Sequence, residues 1–125
     1  MLELIPTAPV YHIGMYREKS TLQPVEYYNK LPQTSGLDIG YVLDPMIATG
    51  GTAISAIDIL KDAGVPKICI VTICGSVKGV QAILERHPET EIYAAAIDES
   101  VDQNGFIVPG LGDAGDRLFN TMTFI

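Results

Sequence analysis

The chain has 125 residues, 47% of them hydrophobic, and a formal net charge of −7. That is the size of one domain able to bury a core, and the negative charge argues against nucleic acid, whose phosphates would be repelled at long range. No apolar run approaches the roughly 18 residues of a membrane span, and MLELIPTAPV has neither the basic start nor the apolar stretch of a secretory signal, so a cytoplasmic protein without membrane contact is expected.

Residues 10–31 hold two segments rich in β-branched and aromatic residues, VYHIGMYR and PVEYYNKL, around the polar stretch EKSTLQ. They predict a hairpin arm, with Pro24 at an edge or first in its strand because it has no N–H to give a ladder. PQTSG follows as a loop. The run IGYVL suits a strand covered on both faces. In TAISAIDILKDAG, Ala53, Ala56, Ile57 and Leu60 fall at helical spacing, with Ser55, Asp58 and Asp62 on the other side. Thr52 is the expected cap of this helix and Gly64 its left-handed stop. KICIVTIC is a second buried strand. Gly75 and Ser76 make a turn and cap, and VKGVQAILERH is a second helix with Val77, Val80, Ile83 and Leu84 inward and Pro88 ending it. EIYAAAI is a third strand. The tail from Asp98 is rich in Gly and Asp and has one short apolar piece, FIV.

Strand, helix, strand, helix, strand predicts an α/β fold: a parallel doubly wound sheet with flanking helices and right-handed crossovers, in one domain over residues 1–125 with the arm at 10–31 inside it. Ligands of such sheets sit beyond the carboxyl ends of the strands. Residues 44–52, 74–76 and 98 onward all reach that edge. Cys69 and Cys74 read as buried reduced thiols and make no metal site by themselves. No metal-ligating side chains are nominated, and His12 and His87 are assigned no catalytic role.

The segment VLDPMIATGGTA runs from a strand into a helix through small residues. A helix N-terminus offers free N–H donors and a partial positive charge, Gly50 and Gly51 remove side chains that would block approach, and Thr49 and Thr52 add hydroxyls. This makes a phosphate pocket, while Asp44 before Pro45 can hold ribose hydroxyls or magnesium. A tight turn capped by Thr would use the same residues without any ligand. The segment lacks the Gly-Lys-Ser/Thr of a Walker loop. GLGDAG, at 110–115, fits the dinucleotide pattern G-x-G-x-x-G, but only ten residues follow it, too few for the helix and strand that context requires.

VLDPMIATGGTA resembles the phosphoribosyl pyrophosphate loop of the uracil phosphoribosyltransferases, within the type I phosphoribosyltransferases. Most type I members carry two adjacent acids there, and the uracil enzymes have proline second, as in Asp44-Pro45. GFIVPGLGDAGDRLFNT resembles that family's uracil-binding tail and HIGMYREKSTLQPVEYYNKLP its flexible hairpin. The three motifs occur in family order over nearly the whole chain.

The resemblance implies transfer of phosphoribosyl to uracil, giving uridine monophosphate (UMP) and pyrophosphate. It implies that Asp44, Pro45, Met46, Ile47, Ala48, Thr49, Gly50, Gly51 and Thr52 cradle the 5′-phosphate and ribose, and that Arg17 reaches the pyrophosphate. Apart from the resemblance, Arg17 also reads as a solvated hairpin charge. Ile107, Gly112, Asp113 and Ala114 would read the uracil edge, and Asp113 would also contact phosphoribosyl pyrophosphate. Taken alone, Asp113 and Asp116 read as solvated turn carboxylates. Asp44, Arg17 and Asp113 are thus the candidate catalytic residues, with magnesium held mainly through the pyrophosphate substrate. The resemblance further suggests a homo-oligomer, dimer or tetramer, and admits GTP binding. Family members are usually longer at the N-terminus, where an Arg-Ala-Gly loop grips pyrophosphate. This sequence has none, so the chain is expected to be a truncated or unusually short member. A non-catalytic uracil- and phosphoribosyl-binding module, or a pseudo-enzyme subunit, is the alternative.

Overall fold

The computed structural model describes residues 1–18, 20–21, 23–32 and 36–121. Its centre is the parallel strand β5 (Ile68–Ser76), whose hydrophobic residues feed the core. In chain order the other strands are β1 (Ile13–Arg17), β2 (Pro24–Asn29), β3 (Gly40–Leu43), β4 (Met46–Ile47), β6 (Glu91–Asp98), β7 (Ser100–Val101) and β8 (Ile107–Val108). β6 pairs with one edge of β5, and β3 and then β4 pair with the other. Leu43 lies opposite Val71 and Met46 opposite Cys74, so β3 and β4 hold one register and form a single line broken at Asp44 and Pro45. Proline has no N–H for the ladder. Its carbonyl instead accepts from two successive amides, Ile73 N at 3.2 Å and Cys74 N at 3.1 Å.

The helices α1 (Gly51–Asp62) and α2 (Val77–Arg86) make the two crossovers. Both step across the sheet in the same direction, so right-handed connections set them on one face. There Ala53 and Ile57 of α1 and Ile83 of α2 meet Ile47, Val65, Ile68 and Ile70 in the main core. The α/β class, the parallel sheet with flanking helices and the hairpin arm agree with the sequence expectation. On the other face, Leu43, Val71 and Tyr93 stand in one cross-strand row, all exposed.

Two helix details differ from expectation. The N-cap of α1 is Gly50 in the left-handed region (φ 84°), with no side-chain cap, and Thr52 lies inside the helix. The expected stop is present: Gly64 has φ 86°, and Gly64 N and Val65 N donate to Lys61 O and Leu60 O at 2.9 and 3.0 Å. In α2, Ile83 is buried and Val80 half-buried, but Val77 and Leu84 are exposed. Gly79 occupies the tightest inward position, because a Cβ there would come within 2.5 Å of the Ala48 carbonyl oxygen. His87, buried at the end of α2, takes a contact from Lys61 Nζ on Nδ1 at 2.8 Å. Its Nε2 is 3.0 Å from Asp58 Oδ1 but off a hydrogen-bonding line, so the ring is a packing link between helices.

β1 and β2 form the antiparallel arm, and Pro24 is the first residue of its strand as expected. The Tyr27 ring lies over Gly14, 2.6 Å from where a Cβ would stand. Parts of the expected turn at 18–23 and loop at 32–36, and all of 122–125, lie outside the described residues. The tail folds into the small β7–β8 hairpin and a short helix, α3 (Ala114–Phe119), which the sequence did not announce.

Candidate active site

At the carboxyl end of the sheet the chain between β4 and α1 is held from below by α2. Ser76, fully buried at the end of β5, donates its hydroxyl to the Ala48 carbonyl at 2.5 Å and accepts from Gly79 N at 2.9 Å. A side chain at Gly50 would meet the Gly79 carbonyl oxygen at 2.7 Å. This close packing fixes the loop while leaving its donors open. Among the described residues, the amides from Thr49 to Ala53 donate to no protein acceptor, and the first bond of α1 runs from Ile54 N to Gly50 O at 2.9 Å. The missing Thr52 cap therefore leaves a cluster of free N–H groups at a helix start, which suits an anion.

The arm brings Arg17 over this edge. Arg17 pairs across the hairpin with Pro24, whose Cδ is 3.7 Å from the Cβ position of Gly51 at the start of α1. Arg17 makes no ion pair among the described residues, and its Nη1 lies 3.3 Å from the Cβ position of Gly105. Asp44, half-buried at the break between β3 and β4, accepts from Met46 N on Oδ1 at 3.1 Å. Burial raises its carboxyl above the usual range, against the opposing pull of that hydrogen bond and of the Arg17 charge.

The tail closes the other side. Ile107 is 3% exposed and packs with Ala48 and Cys74, with Met46 and Val101 against them. After it the backbone turns through Gly110 and Gly112, both at positive φ (52° and 73°), to Asp113. Asp113 caps α3, its Oδ1 accepting from Asp116 N at 2.8 Å, and Arg117 Nη1 donates to Leu111 O at 2.8 Å. Burial and the Asp98 carboxylate push the Cys74 thiol up, and burial does the same at Cys69, so both keep their protons at neutral pH.

Between these parts lies a cleft of about 240 Å³ whose lining includes Arg17, Pro45, Met46, Ala48, Ile107, Gly112, Asp113 and Ala114. The predicted residues from the arm, the loop and the tail thus meet at one place. Asp44 and the run Thr49, Gly50, Gly51 and Thr52 flank this lining without forming it, and the Ile47 side chain is in the core. Gly105 and Phe106 also line the cleft and were not singled out from the sequence. Ser76 was legible only as a cap. Its second bond joins residues 28 apart, a relation no local pattern carries.

The family model for uracil phosphoribosyltransferase matches residues 1–121. The chain is 52% identical over 121 residues to the uracil phosphoribosyltransferase of Roseiflexus sp. (strain RS-1), and 55% identical over 121 residues to that of Levilactobacillus brevis. Each match covers 97% of this chain and 58% of the relative. A solved structure of an Aquifex aeolicus protein superposes with a TM-score of 0.86 at 35% identity, covering 98% of this chain and 59% of that one. The chain therefore spans rather less than two thirds of the length of the relatives it matches. With the loop, the arm and the tail gathered round one cleft and nearly every residue inside the family match, the chain belongs to the uracil phosphoribosyltransferase family.

Proposed function

We propose that the chain supplies the phosphoribosyl- and uracil-binding part of an enzyme that transfers phosphoribosyl from 5-phosphoribosyl 1-pyrophosphate to uracil. The bond between ribose C1 and uracil N1 forms, the bond from C1 to a pyrophosphate oxygen breaks, and the N1 proton passes to the released pyrophosphate or to water. The observation that carries this reading is the single cleft lined on one side by Pro45, Met46 and Ala48 and on the other by Ile107, Gly112, Asp113 and Ala114, with Arg17 over it.

In this reading the free amides at the start of α1, with Thr49, Gly50, Gly51 and Thr52, take the 5′-phosphate. Asp44 takes ribose hydroxyls, and Ile47 contributes backbone only. Arg17, which has no ion pair among the described residues, faces the pyrophosphate and stabilises the charge that develops as it departs. The Gly112–Asp113–Ala114 backbone reads the alternating donors and acceptors of the uracil edge above Ile107. Asp44 and Asp113 each have one carboxylate oxygen engaged by a backbone amide and a second without a hydrogen bond among the described residues. That donor set fits magnesium carried mainly by its phosphate ligand, which would neutralise charge on the leaving group when bound. No nucleophile or acid–base pair is required of the protein. Self-association into a dimer or tetramer in the cytoplasm belongs to the same proposal.

The sequence has no Arg-Ala-Gly. That observation favours a second reading for the chain alone, a module that binds without turning over. Two proteins separate the readings: the 125-residue chain, and the same chain fused to the unmatched part of the Roseiflexus relative. The fusion should form UMP from uracil and phosphoribosyl pyrophosphate with magnesium. The chain alone should be stabilised by about 2.7 kcal/mol with UMP at about a hundred times its Kd. Binding without product in the fusion supports the module. Neither binding nor product removes both readings.

A further inference from the structure

The base side of the cleft hangs on slender supports. β7 and β8 are two residues each, and a two-stranded ribbon is marginal by itself. Beside the packing of Ile107, the hydrogen bond that ties the turn after β8 to the main sheet comes, among the described residues, from one side chain. Asp98, the last residue of β6, accepts on Oδ2 from Gly110 N at 3.0 Å and from Cys74 Sγ at 3.3 Å. Gly110 cannot carry a side chain there, because a Cβ would collide with the Ile107 carbonyl. Asp98 also stands opposite Ser76 in the β5–β6 register, and Ser76 grips the Ala48 carbonyl of the phosphate loop. Two loops about sixty residues apart are therefore keyed to one rung of the sheet, the phosphate side through Ser76 and the base side through Asp98.

We infer that Asp98 is a positioning residue for the base end of the cleft: its carboxylate holds the 110–112 turn in register with the phosphate loop, so that the Gly112–Ala114 backbone is set for the pyrimidine before any ligand arrives. It acts through Gly110 and touches no ligand itself. Two donors on one carboxylate oxygen suit the task, since hydrogen bonds to an ionised acceptor are the stronger kind. Burial keeps the Cys74 thiol protonated and able to donate. The assignment of the pyrimidine rests on the proposed function, whereas the tie between Asp98 and the turn does not.

The test uses the 125-residue chain, two probes and amide hydrogen exchange. UMP spans both sides of the cleft, while ribose 5-phosphate engages only the phosphate side. Asp98→Ala should weaken UMP by about tenfold or more and leave ribose 5-phosphate within about twofold. It should speed exchange at Gly110 by about tenfold while core amides such as Ile70 and Ile83 keep their rates. Asp98→Asn, which keeps an acceptor oxygen, should restore UMP to within about threefold of wild type. Equal losses for both probes would make Asp98 merely structural, and unchanged UMP affinity would overturn the role. A check without any variant covers the case in which Asp98→Ala does not fold. Leu111 N has no acceptor among the described residues, so wild-type Gly110 should exchange at least about tenfold more slowly than Leu111. Equal rates would refute the tie. Wild-type protein that binds neither probe would instead bring down the proposed function, and the base-positioning role with it.

Discussion

Ser76 joins β5, α2 and the loop before α1 with one hydroxyl. Ser76→Ala removes a helix cap and leaves the Ala48 carbonyl without its bond, so a loss of about 2 kcal/mol is expected in urea unfolding. A loss under about 0.5 kcal/mol would show that the loop relaxes freely without it. Asp44 bears on stability in the opposite sense. Burial holds its folded pKa above the ordinary value of 3.8, so the unfolded chain ionises more readily. The stability of the protonated state is present below that unfolded value and is lost as pH rises through the folded one. Asp44→Asn should therefore unfold at a higher temperature than wild type at pH 7, with the gap closing as the pH falls below about 4. A gap independent of pH would contradict desolvation of the Asp44 carboxylate as its origin. The sequence marked Asp44 and Ser76 by their places at strand and helix ends. It could not mark Asp98, because nothing local says that a carboxylate ending one strand will meet an amide twelve residues on.

At the scale of elements, the sheet and both main helices were legible because periodicity reports burial directly. Ala53, Ala56 and Ile57 are buried as their spacing requires, and Gly64 ends α1 at positive φ. The errors lie where one element's position depends on another. Val77 and Leu84 were placed inward from helical spacing alone, but α2 seats against the loop through Gly79, which turns them outward. α3 was missed because its six residues begin in a glycine- and aspartate-rich stretch, where turn chemistry masks a helix. Two glycine substitutions separate support from function. Gly64→Ala forces a side chain into the left-handed region and should cost about 1–2 kcal/mol while leaving ribose 5-phosphate binding unchanged. Gly79→Ala drives a methyl against Ala48 and should cost about 1–3 kcal/mol and weaken ribose 5-phosphate as well. Equal effects on binding would contradict the role of the α2–loop contact.

For the molecule as a whole, the one-sided sheet is the feature the sequence obscured. The run IGYVL read as covered on both faces and KICIVTIC as a buried strand, yet Leu43 and Ile73 are 53% and 58% exposed, and Tyr93 of the third strand is 60% exposed. Apolar character tells that a strand face seeks cover, not whether this chain supplies it. The chain should consequently sediment above its 13.5 kDa mass at tens of micromolar concentration. Ile73→Lys with Tyr93→Lys should return it to that mass without loss of ribose 5-phosphate binding. A wild-type monomer would show that the face tolerates water. The α/β class and the meeting of loop, arm and tail were legible because three ordered motifs cover almost the whole chain, and the fold brings their residues to one cleft. The central claim is that one ligand bridges the phosphate loop and the base turn, and backbone amide NMR during titration with UMP tests it most directly. The expected result is that the amides of Thr49, Gly50, Gly51 and Thr52 and those of Gly112, Asp113 and Ala114 shift together, with ribose 5-phosphate moving only the first set. Shifts confined to one set with UMP, or to residues outside both, would contradict it.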